Sequence, residues 1–139
     1  MKTNLILYVR DQRESAKFYA SVLRAEPILD VPGMTEFRLG QECILGLMPE
    51  EGIKRLLEDR VPDPARARGI PRAELYLTVD DPVQYLRRAL LVGATELSPV
   101  LPRDWGDEAG YCSDPDGHVV AFARAAGPTA HGPVRGPIT

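Results

Sequence analysis

The chain is poor in the residues that most often announce a chemistry: two cysteines, two histidines and one tryptophan in 139 positions. Two thiols, Cys43 and Cys112, cannot build a disulfide framework and lack the spacing of a zinc site, so both are expected to be small buried apolar residues. Basic residues number 17 against 20 acidic ones, which leaves no surplus for phosphate contacts and excludes a general nucleic-acid partner. No apolar run approaches the length of a membrane span, and the opening MKTNLILYVRDQRE turns charged too soon for a secretory leader. A cytoplasmic protein with neither a membrane nor a nucleic-acid partner is the expectation.

What is present is a repeat. Asn4-Leu5-Ile6-Leu7-Tyr8-Val9-Arg10-Asp11 aligns without a gap on Glu74-Leu75-Tyr76-Leu77-Thr78-Val79-Asp80-Asp81. Both runs alternate with period two and predict strands. Each is followed by a capping signal, Asp11-Gln12-Arg13-Glu14 and Asp81-Pro82-Val83-Gln84, in which the aspartate takes an orphan amide of a new helix. Phe18/Val22 and Tyr19/Leu23 pair along the first helix. Val83, Leu86 and Leu90 form the expected apolar stripe of the second, which Gly93 ends. Short strands follow in both halves: Pro27–Val31, Met34–Leu39 and Glu42–Met48, then Thr95–Leu101, Ala109–Ser113 and His118–Ala123. Each half reads β-α-β-β-β.

The halves span residues 1–49 and 73–124, within one domain of residues 1–124. The join, 50–72, holds a short amphipathic helix with Ile53, Leu56 and Leu57 on one face. The last stretch, 125–139, carries three Gly and three Pro and almost nothing apolar. Such a segment orders only against a partner surface, and it is a candidate part of a homodimer interface.

A βαβββ half covers one face of its sheet with the helix. Leu5, Leu7, Val9 and Leu75, Leu77, Val79 are the natural helix-facing set, which turns Asn4, Ile6, Tyr8 and Glu74, Tyr76, Thr78 to the other side. If the two sheets pair edge to edge, those faces line one cleft, mostly apolar with a few placed polar groups, the usual form of a small-molecule site.

Three stretches carry a family resemblance: Leu5–Tyr19 (LILYVRDQRESAKFY), Glu74–Ala94, and Trp105-Gly106-Asp107…Tyr111…Asp114-Pro115-Asp116-Gly117-His118. With the duplicated pattern, the chain resembles the vicinal oxygen chelate superfamily, the glyoxalase / bleomycin-resistance / dioxygenase fold, over residues 1–124. The resemblance implies an α+β fold of two tandem βαβββ modules forming a curved mixed sheet around a central cleft. In the enzyme members it implies a divalent metal held by His, Glu or Gln from the first and last strands of each half. Carried over residue by residue, those positions fall on Asn4, on Glu74, on Ala121, and on Leu45 or Gly46. A lone carboxylate and an amide do not make a transition-metal site. His118 has the opposite strand parity to Ala121, and His131 lies in the tail. No metal and no other cofactor is therefore expected.

The residues that remain at the expected cleft are Asn4, Tyr8, Arg38, Glu74, Tyr76 and Trp105. Tyr8 and Tyr76 suit stacking on a flat ligand or plain packing; Trp105 suits a loop platform or a loop anchor. Arg38 either shares the cleft face with an acid or lies in solvent. A carboxylate turned inward, as Glu74 is expected to be, is desolvated and marks a site. With Asp104, Asp107 and Glu108 it favours a cationic or hydrogen-bond-rich ligand. The leading reading is a bleomycin-resistance-like, metal-free binder of a small organic molecule. The alternatives are a metal-dependent lactoylglutathione lyase or extradiol dioxygenase with Glu74 as a ligand, metal-independent catalysis with Glu74 as general acid or base, and a regulatory interaction domain.

Overall fold

Alternation at the start of the chain produces β1 (Thr3–Val9), and Asp11 then opens α1 (Gln12–Leu23) by accepting the Glu14 amide at 3.0 Å. Three strands complete the first module: β2 (Leu29–Val31), β3 (Met34–Leu39) and β4 (Cys43–Pro49). The join forms α2 (Glu50–Leu57) and two short 3-10 turns, Glu58–Arg60 and Pro64–Ala67. The second module repeats the plan as β5 (Glu74–Thr78), α3 (Pro82–Leu91), β6 (Thr95–Pro102), β7 (Asp107–Ser113) and β8 (Val119–Ala125). Asp81 caps α3 by accepting the Gln84 amide at 3.3 Å. This is a computed structural model, and it describes residues 1–126. The chain divides into two compact units, Met1–Ile70 and Pro71–Thr139.

Each unit is built on a mixed four-stranded sheet, ordered β1-β4-β3-β2 in the first and β5-β8-β7-β6 in the second. The first and last strands of each module lie side by side and parallel, and the remaining pairs are antiparallel. The α+β fold of two βαβββ modules is therefore as expected. In the first unit Phe18, Tyr19 and Val22 of α1 are buried on the helix side, together with Leu7, Val9, Phe37, Leu45 and Leu47 of the sheet. In the second, Leu86 and Ala89 of α3 are buried with Leu75, Val120 and Phe122, and Tyr85 sets its ring 5.6 Å from that of Phe122. Removing either cap by Asp11→Ala or Asp81→Ala is expected to lower stability by about 0.5–2 kcal/mol, read as a shift of the urea midpoint.

Several local expectations are corrected. The apolar stripe of α3 is rotated: Val83 and Leu90 are 45% and 36% exposed, while Pro82, Leu86 and Ala89 face the sheet. The sheet decides this, because Gly110 leaves a hollow that Leu86 fills. Leu56 of α2 is exposed, and Ile53 alone of the expected trio is buried. Leu5 sits at the open end of β1 with 37% exposure, before the covered stretch begins at Leu7. Cys112 is buried as expected, and burial with the nearby Asp114 charge pushes its thiol up to about 12, whereas Cys43 is half-exposed. Ala125 belongs to β8 and not to the tail. Residues 127–139, with His131 and the expected interface role, lie outside the described residues.

Candidate functional site

The polar face of the second sheet is set by register. Tyr76, Ala121 and Tyr111 stand in one row across β5, β8 and β7. Period two adds Glu74 and Thr78 on β5 and Asp107 on β7, because Phe122 and Gly110 of the neighbouring row turn toward α3. Beyond β6 the chain turns through Arg103–Gly106, with Gly106 at a φ of 99° that a side chain would oppose. Arg103 ties this turn together. Its Nε and Nη2 donate to the Ala109 carbonyl at 3.0 and 2.8 Å, and Nη2 also donates to Pro99 O at 3.1 Å and Ser98 Oγ at 2.6 Å. The guanidinium carbon lies 5.1 Å from the centre of the Tyr111 ring.

The turn delivers Trp105 to the sheet. Its Nε1–H donates to Tyr76 Oη at 2.9 Å, and the Tyr76 hydroxyl donates in turn to Asp107 Oδ2 at 2.6 Å. Burial, reinforced by the Asp107 carboxylate, pushes the Tyr76 phenol up to about 12 against the opposing donation from Trp105. Burial first, then the Glu74 charge, also raises Tyr111, with Arg103 opposing. A phenol whose folded pKa lies above its unfolded value stabilises the fold fully below the unfolded pKa of 10 and loses that contribution as pH rises toward about 12. In an absorbance titration Tyr76→Phe is expected to remove a phenolate step near pH 12. It is also expected to lose less stability than the wild type between pH 10 and 12. Superimposable titration curves for the two proteins contradict the assignment.

Of the six expected residues, the structure joins Tyr76 and Trp105 by a hydrogen bond and sets Glu74 on the same face. Glu74 is exposed, so the desolvation expected of it is absent. Trp105 is both anchor and surface, half-buried with its indole N–H engaged. Asn4, Tyr8 and Arg38 belong to the first unit. There Asn4 Nδ2 donates to Glu36 Oε2 at 3.3 Å, and strand parity gives Arg38 and Glu36 the same face, with Arg38 exposed. Glu108 pairs with Arg124 at 3.1 Å rather than facing a ligand. Asp107, Tyr111 and Arg103 were not among the six. The signal for Asp107 lies in the sequence: the Ala109–Tyr111 alternation continues two residues earlier, so β7 starts at Asp107 and not at the expected Ala109. Arg103 gave no such signal, because its role depends on carbonyls that only the folded turn brings together.

The donor set can be tested against the metal that the resemblance implies. Ala121 offers no donor and is fully buried between the two tyrosines of its row. Of Leu45 and Gly46, Leu45 is buried on the helix side, and a side chain at Gly46 would meet Ile6 and Met34 at 3.1 Å. Among the described residues no three of His, Cys, Asp and Glu gather where they can hold an ion. His118 is buried beside the Arg72 guanidinium, with strand parity toward α3, and its amide donates to Asp114 Oδ1 at 2.9 Å. Asp114 accepts the Asp116 amide as well, which makes the Asp-Pro-Asp-Gly turn a structural one. These residues do not fit a divalent metal.

A family profile described as a glyoxalase-like domain matches residues 4–123. The chain belongs to this family. An uncharacterized protein of Mycobacterium bovis is 30% identical over 120 residues, covering 81% of this chain and 75% of its own. An uncharacterized Mycobacterium tuberculosis protein matches equally over 67% of its length. Among solved structures, a glyoxalase-related enzyme from Fulvimarina pelagi superposes with a TM-score of 0.77 at 20% identity, over 99% of both chains. A glyoxalase/bleomycin resistance protein/dioxygenase family enzyme from Burkholderia phytofirmans gives 0.76 at 16% identity, over 88% of this chain and 96% of its own. At those identities the structures establish the fold alone. The glyoxalase-like chain thus shares an architecture with these structures while lacking a donor at two of the four positions where the resemblance puts metal ligands, Ala121 and Leu45 or Gly46.

Proposed function

We propose that this glyoxalase-like protein binds a small organic molecule without a metal ion, on the tyrosine–tryptophan face of its second unit. The observation that carries the reading is the chain of hydrogen bonds Trp105 to Tyr76 to Asp107, laid beside an alanine where the resemblance calls for a ligand. Rigid aromatic rings with an ordered polar edge stack on flat ligands and orient them at small entropic cost. Lactoylglutathione lyase or dioxygenase chemistry through a Glu74-bound metal lacks the further donors it needs. Acid–base chemistry at Glu74 has weaker support, because its exposed carboxylate is not held in a desolvated pocket.

Elemental analysis of protein purified without chelators tests the proposal. The expected result is metal far below one ion per chain. Stoichiometric zinc, nickel, manganese or iron that disappears in Glu74→Ala would overturn it. Homodimerisation stays part of the proposal, supported by the edge strand β2, whose Leu29 and Val31 are exposed. A monomer mass by light scattering removes that part.

A further inference from the structure

We infer that the ligand taken by the tyrosine–tryptophan face is an organic cation: a protonated amine or amidine carried on a flat apolar body. The inference rests on the binding reading above and adds the ligand's charge and hydrogen-bonding sense. It follows from where the protons of this face already go. The Tyr76 hydroxyl has one proton and gives it to Asp107, so Tyr76 Oη can only accept from a further partner. The Trp105 N–H is given to Tyr76, and both Nε and Nη2 of Arg103 are given to acceptors of its own turn. What the face offers as charge is negative, and its free acceptors are the second oxygen of Asp107, the spare lone pair of Tyr76, and Glu74, whose carboxylate has no ion-pair partner among the described residues. The donors that remain are the Nη1 group of Arg103 and the hydroxyls of Tyr111 and Thr78, each hydroxyl able to donate or accept.

Two carboxylates flank this row of rings, Glu74 on β5 and Asp107 on β7, and the Glu74 charge is felt at Tyr111. Tyr76, Tyr111 and Trp105 are half-buried on the same face. A cation over such a face gains from the ring quadrupole and from the carboxylates together. An anion meets two like charges, and a neutral acceptor finds few donors left. Arg103 sets a positive charge beside Tyr111, held in place by the bonds of its Nε and Nη2 to the turn, and its place there shows that the ring already faces a guanidinium.

Trp105 is the one tryptophan of the chain, so its emission reports on this face directly. Three probes of one shape separate the possibilities: benzamidinium, benzamide and benzoate, titrated into the full chain at low salt and followed by Trp105 emission and calorimetry. The expected result is saturable binding of benzamidinium, about tenfold or more tighter than benzamide, with none for benzoate. Added salt weakens the cation. Glu74→Gln, at an exposed position, and Asp107→Asn each reduce benzamidinium binding several-fold and reduce benzamide binding by a smaller factor. Benzamide or benzoate bound as tightly as benzamidinium overturns the cation inference and leaves the binding reading standing. So does unaltered benzamidinium affinity in both variants. No saturable response to any of the three overturns the inference and, with it, the assignment of binding to this face.

Discussion

Phe122→Ala is expected to lower the stability of the second unit by about 3–5 kcal/mol. Phe122 is fully buried at the centre of β8, where it lies in register with Leu77 on one side and Gly110 on the other, under the Tyr85 ring. Deleting the ring removes its transfer free energy and leaves a cavity that α3 cannot close, because Leu86 and Ala89 are already seated against the sheet. A domain is stable by only about 5–15 kcal/mol, so a loss of this size is a large share of the whole. Denaturant unfolding followed by Trp105 emission measures it. A midpoint shift equivalent to less than about 1 kcal/mol shows that the ring is not part of a close-packed core.

Gly110→Ala is the second large effect and works in the opposite sense, by adding volume. A Cβ at Gly110 would meet Val100 Cγ2 at 2.8 Å, Leu86 Cδ2 at 3.0 Å and the Val100 backbone nitrogen at 3.1 Å. The two side chains can turn away, but the backbone of β6 cannot do so without disturbing its pairing with β7. Overpacking of this kind costs about 1–3 kcal/mol. Gly52→Ala provides the contrast. It lies within α2, and its Cβ would meet Met48 at an ordinary 3.5 Å, so the gain in helix propensity of about 0.5–1 kcal/mol is expected to show. Urea midpoints of the two variants should therefore move in opposite directions. A Gly110→Ala protein as stable as the wild type would mean that β6 yields at Val100.

The sequence by itself determined the repeat, both helix starts, the succession of elements along each module and the face on which Tyr76 and Glu74 stand. These follow from period-two alternation, capping residues and turn residues, all of which act over a few positions of chain. Tertiary structure decided the rest. The exposed stripe of Val83 and Leu90 shows that an amphipathic pattern names several possible helix faces, and that the hollow at Gly110 selects one. The bond from Trp105 to Tyr76 to Asp107 joins residues about thirty positions apart, and no local rule carries that distance. Nor does spacing reveal that Arg103 is anchored in its own turn. Alternation and caps are properties of neighbours along the chain, whereas the destination of a proton depends on which groups the folded sheet and turn bring within reach.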